Sequence, residues 1–122
     1  MCGFFFHNSK NLVKKSKLEI SSLRADLEKR GPDNFKYVER KNFSMFFSRL
    51  SIIDLSKKSD QPFTDKKKRY FLVFNGEIYN YLEIKKQLIN EGIKFDTTSD
   101  TEVLFRLLIF KGIKKTLNII QK

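Results

Sequence analysis

The residue best suited to chemistry in this sequence is Cys2, which lies between Met1 and Gly3. A small residue after the initiator methionine favours its removal, and removal of Met1 would place a thiol and a free α-amine on one residue. The α-amine titrates at about 7.7–8.0 and a free thiol at about 8.5, so the amine can act as the base for the thiol. We therefore interpret Cys2 as a candidate N-terminal nucleophile, with a small buried apolar side chain as the alternative.

The strands that must position Cys2 are predicted from apolar runs and from alternation along the chain. Four segments have this pattern, and they span residues 2–6, 35–38, 43–50 and 70–74. The first is almost wholly apolar, which predicts a buried strand at the start of the chain. The third alternates in a way that predicts burial mostly on one side.

The helices are predicted from caps and from apolar residues at helical spacing. Each begins at a polar residue followed three positions later by glutamate, and each ends at a glycine. The N-caps are Ser16, Asn80 and Ser99, and the glycines are Gly31, Gly92 and Gly112. Because strands come first and helices later, the sequence predicts an α+β fold with a largely antiparallel sheet.

Composition limits the classes of function. The 122 residues carry a formal net charge of +11 and 40% apolar residues, which indicates a packed globular domain. The basic run at residues 66–69 precedes a predicted strand, so a solvated hairpin turn explains it better than a phosphate-binding face. One cysteine permits neither an internal disulfide nor a cysteine-based zinc site, and no signal peptide or membrane span is predicted. We expect a cytoplasmic protein that binds neither a specific nucleic acid nor a membrane.

Five short motifs occur in order behind Cys2 and are informative as a set. They are Arg30-Gly31-Pro32-Asp33, Arg49-Leu50-Ser51-Ile52-Ile53-Asp54, Gln61-Pro62, Phe74-Asn75-Gly76-Glu77-Ile78-Tyr79-Asn80 and Ser99-Asp100-Thr101-Glu102. With this set, the sequence from Cys2 to about Leu108 resembles the glutaminase domain of glutamine-dependent asparagine synthase. That family consists of class II glutamine amidotransferases with the N-terminal nucleophile hydrolase fold.

The resemblance implies that this chain hydrolyses L-glutamine through a thioester on Cys2. The thiol would attack the side-chain amide carbon, while the α-amine of the same residue takes and returns protons. The Asn75 side-chain amide and the Gly76 backbone N–H would donate to the resulting oxyanion. Taken alone, the Asn75-Gly76 dipeptide would indicate a hairpin turn.

The resemblance also implies a glutamine-binding set around the nucleophile. Arg49 would bind the α-carboxylate, Asp100 would hold the α-ammonium group, and Glu77 would lie near that group. The other residues expected to line the pocket are Leu50, Ile52, Ile53, Asn75 and Gly76. Taken alone, Arg49 would indicate a surface charge and Asp100 an acid that stabilises a helix N-terminus.

The resemblance further implies that residues 1–122 form the amino-terminal portion of a glutamine amidotransferase type-2 domain. The family's antiparallel sheets sandwiched by helices would be incomplete at the C-terminus. The family's ATP-pyrophosphatase synthase domain, which uses ATP and Mg²⁺, is not among these residues, so no cofactor is expected in this chain. The expected partner is a synthase domain or a partner chain, and a homo-oligomer is left open.

Near the end of the sequence, an apolar stripe of Ile113, Leu117 and Ile120 faces away from lysines and needs another surface to cover it. An incomplete sandwich leaves apolar faces wet, so we expect the isolated chain to aggregate or to need a partner. Two interpretations stay open. One is a glutaminase that supplies ammonia for asparagine formation or for another acceptor, and the other is a catalytically silent fragment or interaction module.

Overall fold

The computed structural model describes residues 2–8 and 17–120, in which a sheet is followed by a short hairpin and two packed helices. The strands are β1 (Gly3–Asn8), β2 (Asn34–Glu39), β3 (Phe43–Arg49), β4 (Phe63–Thr64) and β5 (Phe71–Leu72). The helices are α1 (Lys17–Glu28), α2 (Tyr81–Asn90) and α3 (Asp100–Ile120), and a turn of 3-10 helix spans Lys57–Ser59. This is the predicted α+β class with antiparallel sheets.

β3 is the central strand of the three-stranded sheet, in the order β1-β3-β2, with antiparallel neighbours on both sides. α1 covers one face, where Ser48 Oγ donates to the Leu27 carbonyl at 2.6 Å. The β4–β5 hairpin packs on the other face, where the rings of Phe43 and Phe71 meet edge to face. The prediction of burial on one side was therefore wrong, because both faces of this strand are covered from residue 44 to residue 49.

β1 is an edge strand of this sheet, and it is less buried than the apolar run predicts. Phe4 and Phe6 are 48% and 50% exposed, whereas Phe5 on the opposite face meets the Phe46 ring at 5.8 Å. α1 packs on the Phe5 side, where Gly3 approaches Leu27. The prediction of a buried strand was wrong for the side of Phe4 and Phe6, because an apolar run leads to burial only where a second layer covers that face.

The basic run at residues 66–69 lies between β4 and β5, which confirms the predicted hairpin turn. Asp65 stabilises the turn, because its carboxylate accepts from the backbone N–H of Arg69 at 2.6 Å and from its guanidinium at 2.9 Å. The strand predicted over residues 70–74 is shorter than expected. β4 has only two residues, so the ladder stops at Phe71–Leu72.

The N-terminal ends of α2 and α3 differ in how far they follow the predicted caps. Ser99 caps α3, because its Oγ accepts from the Thr101 N–H at 3.1 Å. Asn80 stands at the N-cap position of α2, but its side chain makes no capping bond. Its Nδ2 donates instead to the carbonyl of Ile119 at 3.1 Å, which holds the last turn of α3 against α2. The third predicted cap, Ser16, lies outside the described residues.

Two of the glycines predicted to end helices, Gly92 and Gly112, have a positive φ. α2 ends at Asn90, and Gly92 follows the C-cap residue with a φ of 86°, which confirms the predicted stop to within two residues. α3 does not end at Gly112, because helical structure resumes behind a kink there, where φ is 75° and ψ is 167°. Behind the kink, Ile113 and Leu117 are 70% and 48% exposed as predicted, whereas Ile120 packs on the α2–α3 core. Among residues 2–8 and 17–120, the helices lack the combination of length and apolar character that crossing a membrane requires.

Candidate active site

A cavity of about 280 Å³ opens between the ends of β1 and β3 and the start of α3. All residues predicted for the site line it: Cys2, Arg49, Leu50, Ile52, Ile53, Asn75, Gly76, Glu77 and Asp100. Six lining residues were not predicted as site residues: Asp54, Ser59, Gln61, Phe74, Ser99 and Thr101. Residues up to 99 positions apart in the sequence, Cys2 and Thr101, therefore meet at one place.

Cys2 is half-buried and its sulfur contacts the backbone of Leu50. The Leu50 N–H donates to Sγ at 3.4 Å, and Sγ lies 3.6 Å from the Leu50 carbonyl oxygen. The strand register explains this contact, because Gly3 pairs with Ser48 and Cys2 therefore lies beside the end of β3. Arg30 Nε also donates to the carbonyl of Cys2 at 3.3 Å, which fixes the backbone that carries the thiol.

Arg49 is buried at the end of β3, with 8% of its surface exposed, so its interpretation as a surface charge was wrong. Nη1 donates to Asp60 Oδ1 at 2.6 Å and to the Ser56 carbonyl at 2.9 Å. Nη2 donates to the carbonyl of Asp54. Among the described residues, these bonds use three of the five guanidinium donors, which leaves Nε and one hydrogen of Nη2 for a further acceptor.

Asp60 connects Arg49 to β2. Its Oδ2 accepts a hydrogen bond from Asn34 Nδ2 at 2.7 Å, while its Oδ1 accepts one from the guanidinium of Arg49. The opposite formal charges of Arg49 and Asp60 cancel. Both carboxylate oxygens of Asp60 accept hydrogen bonds, so the orientation of the Arg49 guanidinium is fixed. Within the described ranges, no group of three or more His, Cys, Asp and Glu side chains is arranged to hold a metal ion.

Asp54 holds the loop behind β3 against the segment in front of α3. One carboxylate oxygen accepts from the Ser56 N–H, and the other accepts from the N–H and the Oγ1 of Thr98, each at 2.8 Å. Partial desolvation raises the pKa of Asp54, but these hydrogen bonds outweigh it and hold the pKa well below its usual range. The same loop carries Ile52 and Ile53, which are 73% and 38% exposed and form the rim of the cavity.

Asn75 and Gly76 lie in an irregular loop between β5 and α2, so the hairpin-turn interpretation of this dipeptide was wrong. Both residues are exposed, as is Glu77 behind them. Gly76 approaches the Phe74 ring so closely that a Cβ atom would lie 2.7 Å from Cζ. Glycine at this position therefore permits the close approach of the loop to the ring.

Asp100 joins this loop to α3. It is the first residue of the helix and is 5% exposed. Its Oδ2 accepts from the Ile78 N–H at 3.1 Å. An acid in the first turn also complements the helix dipole, as the sequence indicates. The carboxylate thus has a structural function in addition to the predicted binding of an ammonium group.

Two further side chains at the cavity had no role assigned from the sequence. Gln61 is 6% exposed, and its amide pairs with the backbone of Phe74. Ser59 is 2% exposed, and its Oγ has no hydrogen-bond partner within the described residues. The Gln61-Pro62 motif was a signal for Gln61, whereas nothing in the sequence indicates Ser59.

Comparison with known proteins identifies the class of the domain. A family model described as a glutamine amidotransferase domain matches residues 1–121. The chain therefore belongs to the glutamine amidotransferase domain family, an enzyme class, and the predicted resemblance is confirmed.

Similar relatives include asparagine synthetases (glutamine-hydrolyzing) 1, 2 and 3 of Bacillus subtilis, to which the chain is 39%, 44% and 34% identical. The alignments cover 85%, 69% and 89% of this chain, but 17%, 11% and 18% of the respective relatives. The chain thus spans less than a fifth of their length.

Proposed function

We propose that this chain hydrolyses L-glutamine through a thioester on Cys2 after removal of Met1, which lies outside the described residues. The observation that carries the proposal is the cavity in which Cys2, Arg49, Asn75 and Asp100 come together. Membership of the glutamine amidotransferase domain family supports it. A thiol alone would be weak evidence, but a thiol beside amide, guanidinium and carboxylate groups suits acyl transfer from an amino-acid amide.

The first half of the reaction forms the thioester. The α-amine of Cys2 takes the thiol proton as Sγ attacks the amide carbon of glutamine, and the carbonyl oxygen becomes an oxyanion. Asn75 Nδ2 and the Gly76 N–H donate to that oxygen. As the C–N bond breaks, the protonated amine returns its proton to the leaving nitrogen, and ammonia departs.

The second half releases glutamate. The α-amine takes a proton from water as the water oxygen attacks the thioester carbon, and a second oxyanion forms at the same donors. The C–S bond then breaks, and the proton returns to the sulfur. Throughout, the free donors of Arg49 bind the α-carboxylate, while Asp100 and Glu77 hold the α-ammonium group. Backbone groups of Leu50, Ile52 and Ile53 complete the pocket wall.

We further propose that the domain, residues 1–122, has the N-terminal nucleophile hydrolase fold and supplies its ammonia to a synthase domain that forms asparagine. The names of the Bacillus subtilis relatives support this acceptor. ATP and Mg²⁺ belong to the synthase domain in this scheme, and the glutaminase step needs no cofactor. A cytoplasmic location is part of the same proposal, and a homo-oligomer is left open.

An interaction module that has lost catalysis is the second candidate function. The half-exposed Phe4 and Phe6 on β1, with Ile113 and Leu117 on α3, favour it because they offer apolar surface to a partner. In that case the cavity would retain its shape without turnover. A glutaminase that serves another acceptor is the remaining alternative.

The experiment that separates these functions is mass spectrometry combined with covalent labelling. We expect the protein to lack Met1 and to form an adduct at Cys2 with a chloromethyl ketone analogue of L-glutamine, in which the ketone replaces the side-chain amide carbonyl. Excess L-glutamine should slow the labelling, and L-asparagine should not. Retained Met1, or a folded protein without a Cys2 adduct, would contradict the enzymatic proposal and favour the interaction module.

A further inference from the structure

Gln61 is a buried polar side chain that the proposed reaction leaves without a role. It lies between the 3-10 turn at Lys57–Ser59 and β4, and 6% of its surface is exposed. It lines the cavity together with Phe74 and Thr101. A buried amide that made no hydrogen bonds would destabilise the fold, so its partners indicate what it does.

The Gln61 amide pairs with the backbone of Phe74 in both directions. The Phe74 N–H donates to Oε1 at 2.6 Å, and Nε2 donates to the Phe74 carbonyl at 3.1 Å. In an antiparallel sheet, a residue on a neighbouring strand makes the same two hydrogen bonds, one to the N–H and one to the C=O of the residue opposite. The Gln61 pairing occurs where the β4–β5 ladder has already stopped, so the side chain replaces a missing strand partner. Nε2 also lies 3.4 Å from Thr101 Oγ1, which extends the contact to α3.

Phe74, whose backbone is bonded to Gln61, directly precedes the proposed oxyanion donors Asn75 and Gly76. Phe74 N–H and C=O are fixed by Gln61, and its ring limits the space at Gly76. The peptide bond between Phe74 and Asn75 therefore cannot rotate without breaking the bond to Gln61. Oxyanion donors act only when they are held in place before the charge develops.

We propose that Gln61 is a positioning residue that fixes the oxyanion-donor segment Asn75-Gly76 through the backbone of Phe74. The inference rests on the proposed glutaminase function and adds a residue whose amide is bonded to the backbone of Phe74 and not to Cys2. It accounts for the glutamine in the Gln61-Pro62 motif, because an amide side chain presents a donor and an acceptor side by side at neutral pH, which matches the C=O and N–H of one residue.

Substitution of Gln61 by Glu tests this explanation because the two side chains have nearly the same shape. An ionised carboxylate still accepts from the Phe74 N–H but repels the Phe74 carbonyl, whereas a protonated carboxyl group donates to that carbonyl again. The variant Gln61→Glu should therefore recover activity, relative to the unchanged protein, as pH falls through the pKa of the new carboxyl group. The variant Gln61→Met has similar volume, forms neither bond, and should show no recovery.

The experiment measures kcat and KM for glutamine hydrolysis by the full chain from about pH 5 to 8, with Gln87→Glu on the exposed face of α2 as the matched control. At neutral pH we expect Gln61→Glu and Gln61→Met to lower kcat by about 10²-fold, as for misplaced oxyanion donors, with KM changed less than about threefold. Gln87→Glu should leave both constants unchanged. Hydrogen exchange at the Phe74 amide should accelerate in Gln61→Met, which loses the acceptor of that N–H, and not in Gln61→Glu or in the control.

Each result bears on the proposal. An unchanged kcat in folded Gln61→Met would overturn it. So would changes of equal size in kcat and KM that are accompanied by a fall in the thermal midpoint and are explained by it. So would a pH profile of Gln61→Glu that runs parallel to that of Gln61→Met. If the unsubstituted chain forms no adduct at Cys2, the proposed function itself fails. If the adduct forms and the Gln61 variants turn over normally, only the positioning role fails.

Discussion

At the residue scale, buried polar groups in this domain differ in whether the protein itself satisfies them. Ser48 Oγ donates to the Leu27 carbonyl at 2.6 Å and attaches α1 to the sheet. Ser59 Oγ is equally buried but has no partner within the described residues, and it lines the cavity. A hydroxyl that is satisfied stabilises the fold, whereas an unsatisfied one costs free energy that only a ligand or water can recover.

These two serines give a matched pair of substitutions. We expect Ser48→Ala to lower the free energy of unfolding by about 1 kcal/mol, because a buried hydrogen bond is lost. Ser59→Ala should leave the free energy of unfolding unchanged or raise it, because no bond is lost and a polar atom leaves a buried position. Urea denaturation at neutral pH measures both. A larger loss for Ser59→Ala than for Ser48→Ala would be inconsistent with these contacts.

At the element scale, the loop behind β3 is held by Asp54 and the end of β3 by the turn at Gly31. The Asp54 carboxylate spans from Ser56 to Thr98, so it connects two loops that both border the cavity. Gly31 packs against the backbone of Ser48 and Arg49, so the turn behind α1 fits closely to the last residues of β3. The Asp54 contacts and the Gly31 contacts together determine where the Arg49 guanidinium and Leu50 lie.

The Asp54 contacts predict a pH dependence. The pKa of Asp54 is lowered in the folded chain, so its contribution to stability is fully present above the unfolded pKa of about 3.9 and is lost as pH falls through the folded pKa. The stability difference between the unchanged chain and Asp54→Asn should therefore stay constant from pH 7 to about pH 5 and shrink as pH falls below about 4. Denaturation at several pH values measures it. Asp26→Asn on α1, whose side chain is 73% exposed, is the control and should differ little at any pH.

The close fit at Gly31 predicts a second change at this scale. A Cβ atom there would lie 2.6 Å from the carbonyl carbon of Arg49, so Gly31→Ala should cost about 2 kcal/mol or more. In Gly112→Ala the new Cβ meets no atom within 4 Å, so the cost should be only the strain of the backbone at φ 75° and ψ 167°, about 1–3 kcal/mol. Thermal and urea denaturation compare the two. In addition, labelling of Cys2 should slow in Gly31→Ala and not in Gly112→Ala, because only the former displaces the end of β3.

Elements with local signals were predicted correctly, and elements that depend on distant neighbours were not. The cap at Ser99 and the end of α2 before Gly92 follow from hydrogen bonds within a few residues, which a sequence displays directly. The exposure of Phe4 depends on which layer covers β1, and the side-chain bond of Asn80 depends on Ile119 at the far end of α3. No local pattern contains that information.

The candidate site divides in the same way. The residues predicted to touch substrate could be found from the sequence because each belongs to a recognisable motif, and all of them line one cavity. Gln61, Ser59 and Asp60 support or complete the site through contacts across the fold, and their types alone have no distinctive chemistry. Sequence reasoning therefore reached the proposed chemistry more readily than the scaffold that orients it.

At the scale of the whole molecule, the domain combines exposed apolar surface with a high positive charge. Phe4 and Phe6 on β1 and Ile113 and Leu117 on α3 are each between 48% and 70% exposed, while the formal net charge is +11. Apolar patches favour association, whereas like charge opposes it. The balance between the two should therefore depend on salt.

We expect the isolated chain to associate more strongly as ionic strength rises from about 0.1 to about 1 M, because the screening length falls from about 10 to about 3 Å. Phe6→Lys on β1 should weaken this association, since it removes apolar surface from an open strand. Leu18→Lys on α1, at a side chain that is 81% exposed and distant from that strand in sequence, is the charge-matched control. Sedimentation velocity measures the effect. Equal weakening by both variants would indicate charge repulsion rather than a specific apolar face.

The segment 75–77 is held at both ends by side chains from elsewhere, Phe74 by Gln61 and Ile78 by Asp100. Restricting a backbone costs about 1–2 kcal/mol per residue in conformational entropy, and here the restriction is imposed on folding rather than during turnover. The barrier to glutamine hydrolysis should accordingly be mainly enthalpic. Releasing either end would make the activation entropy more negative, a change that the temperature dependence of the rate reveals even where the rate at one temperature does not.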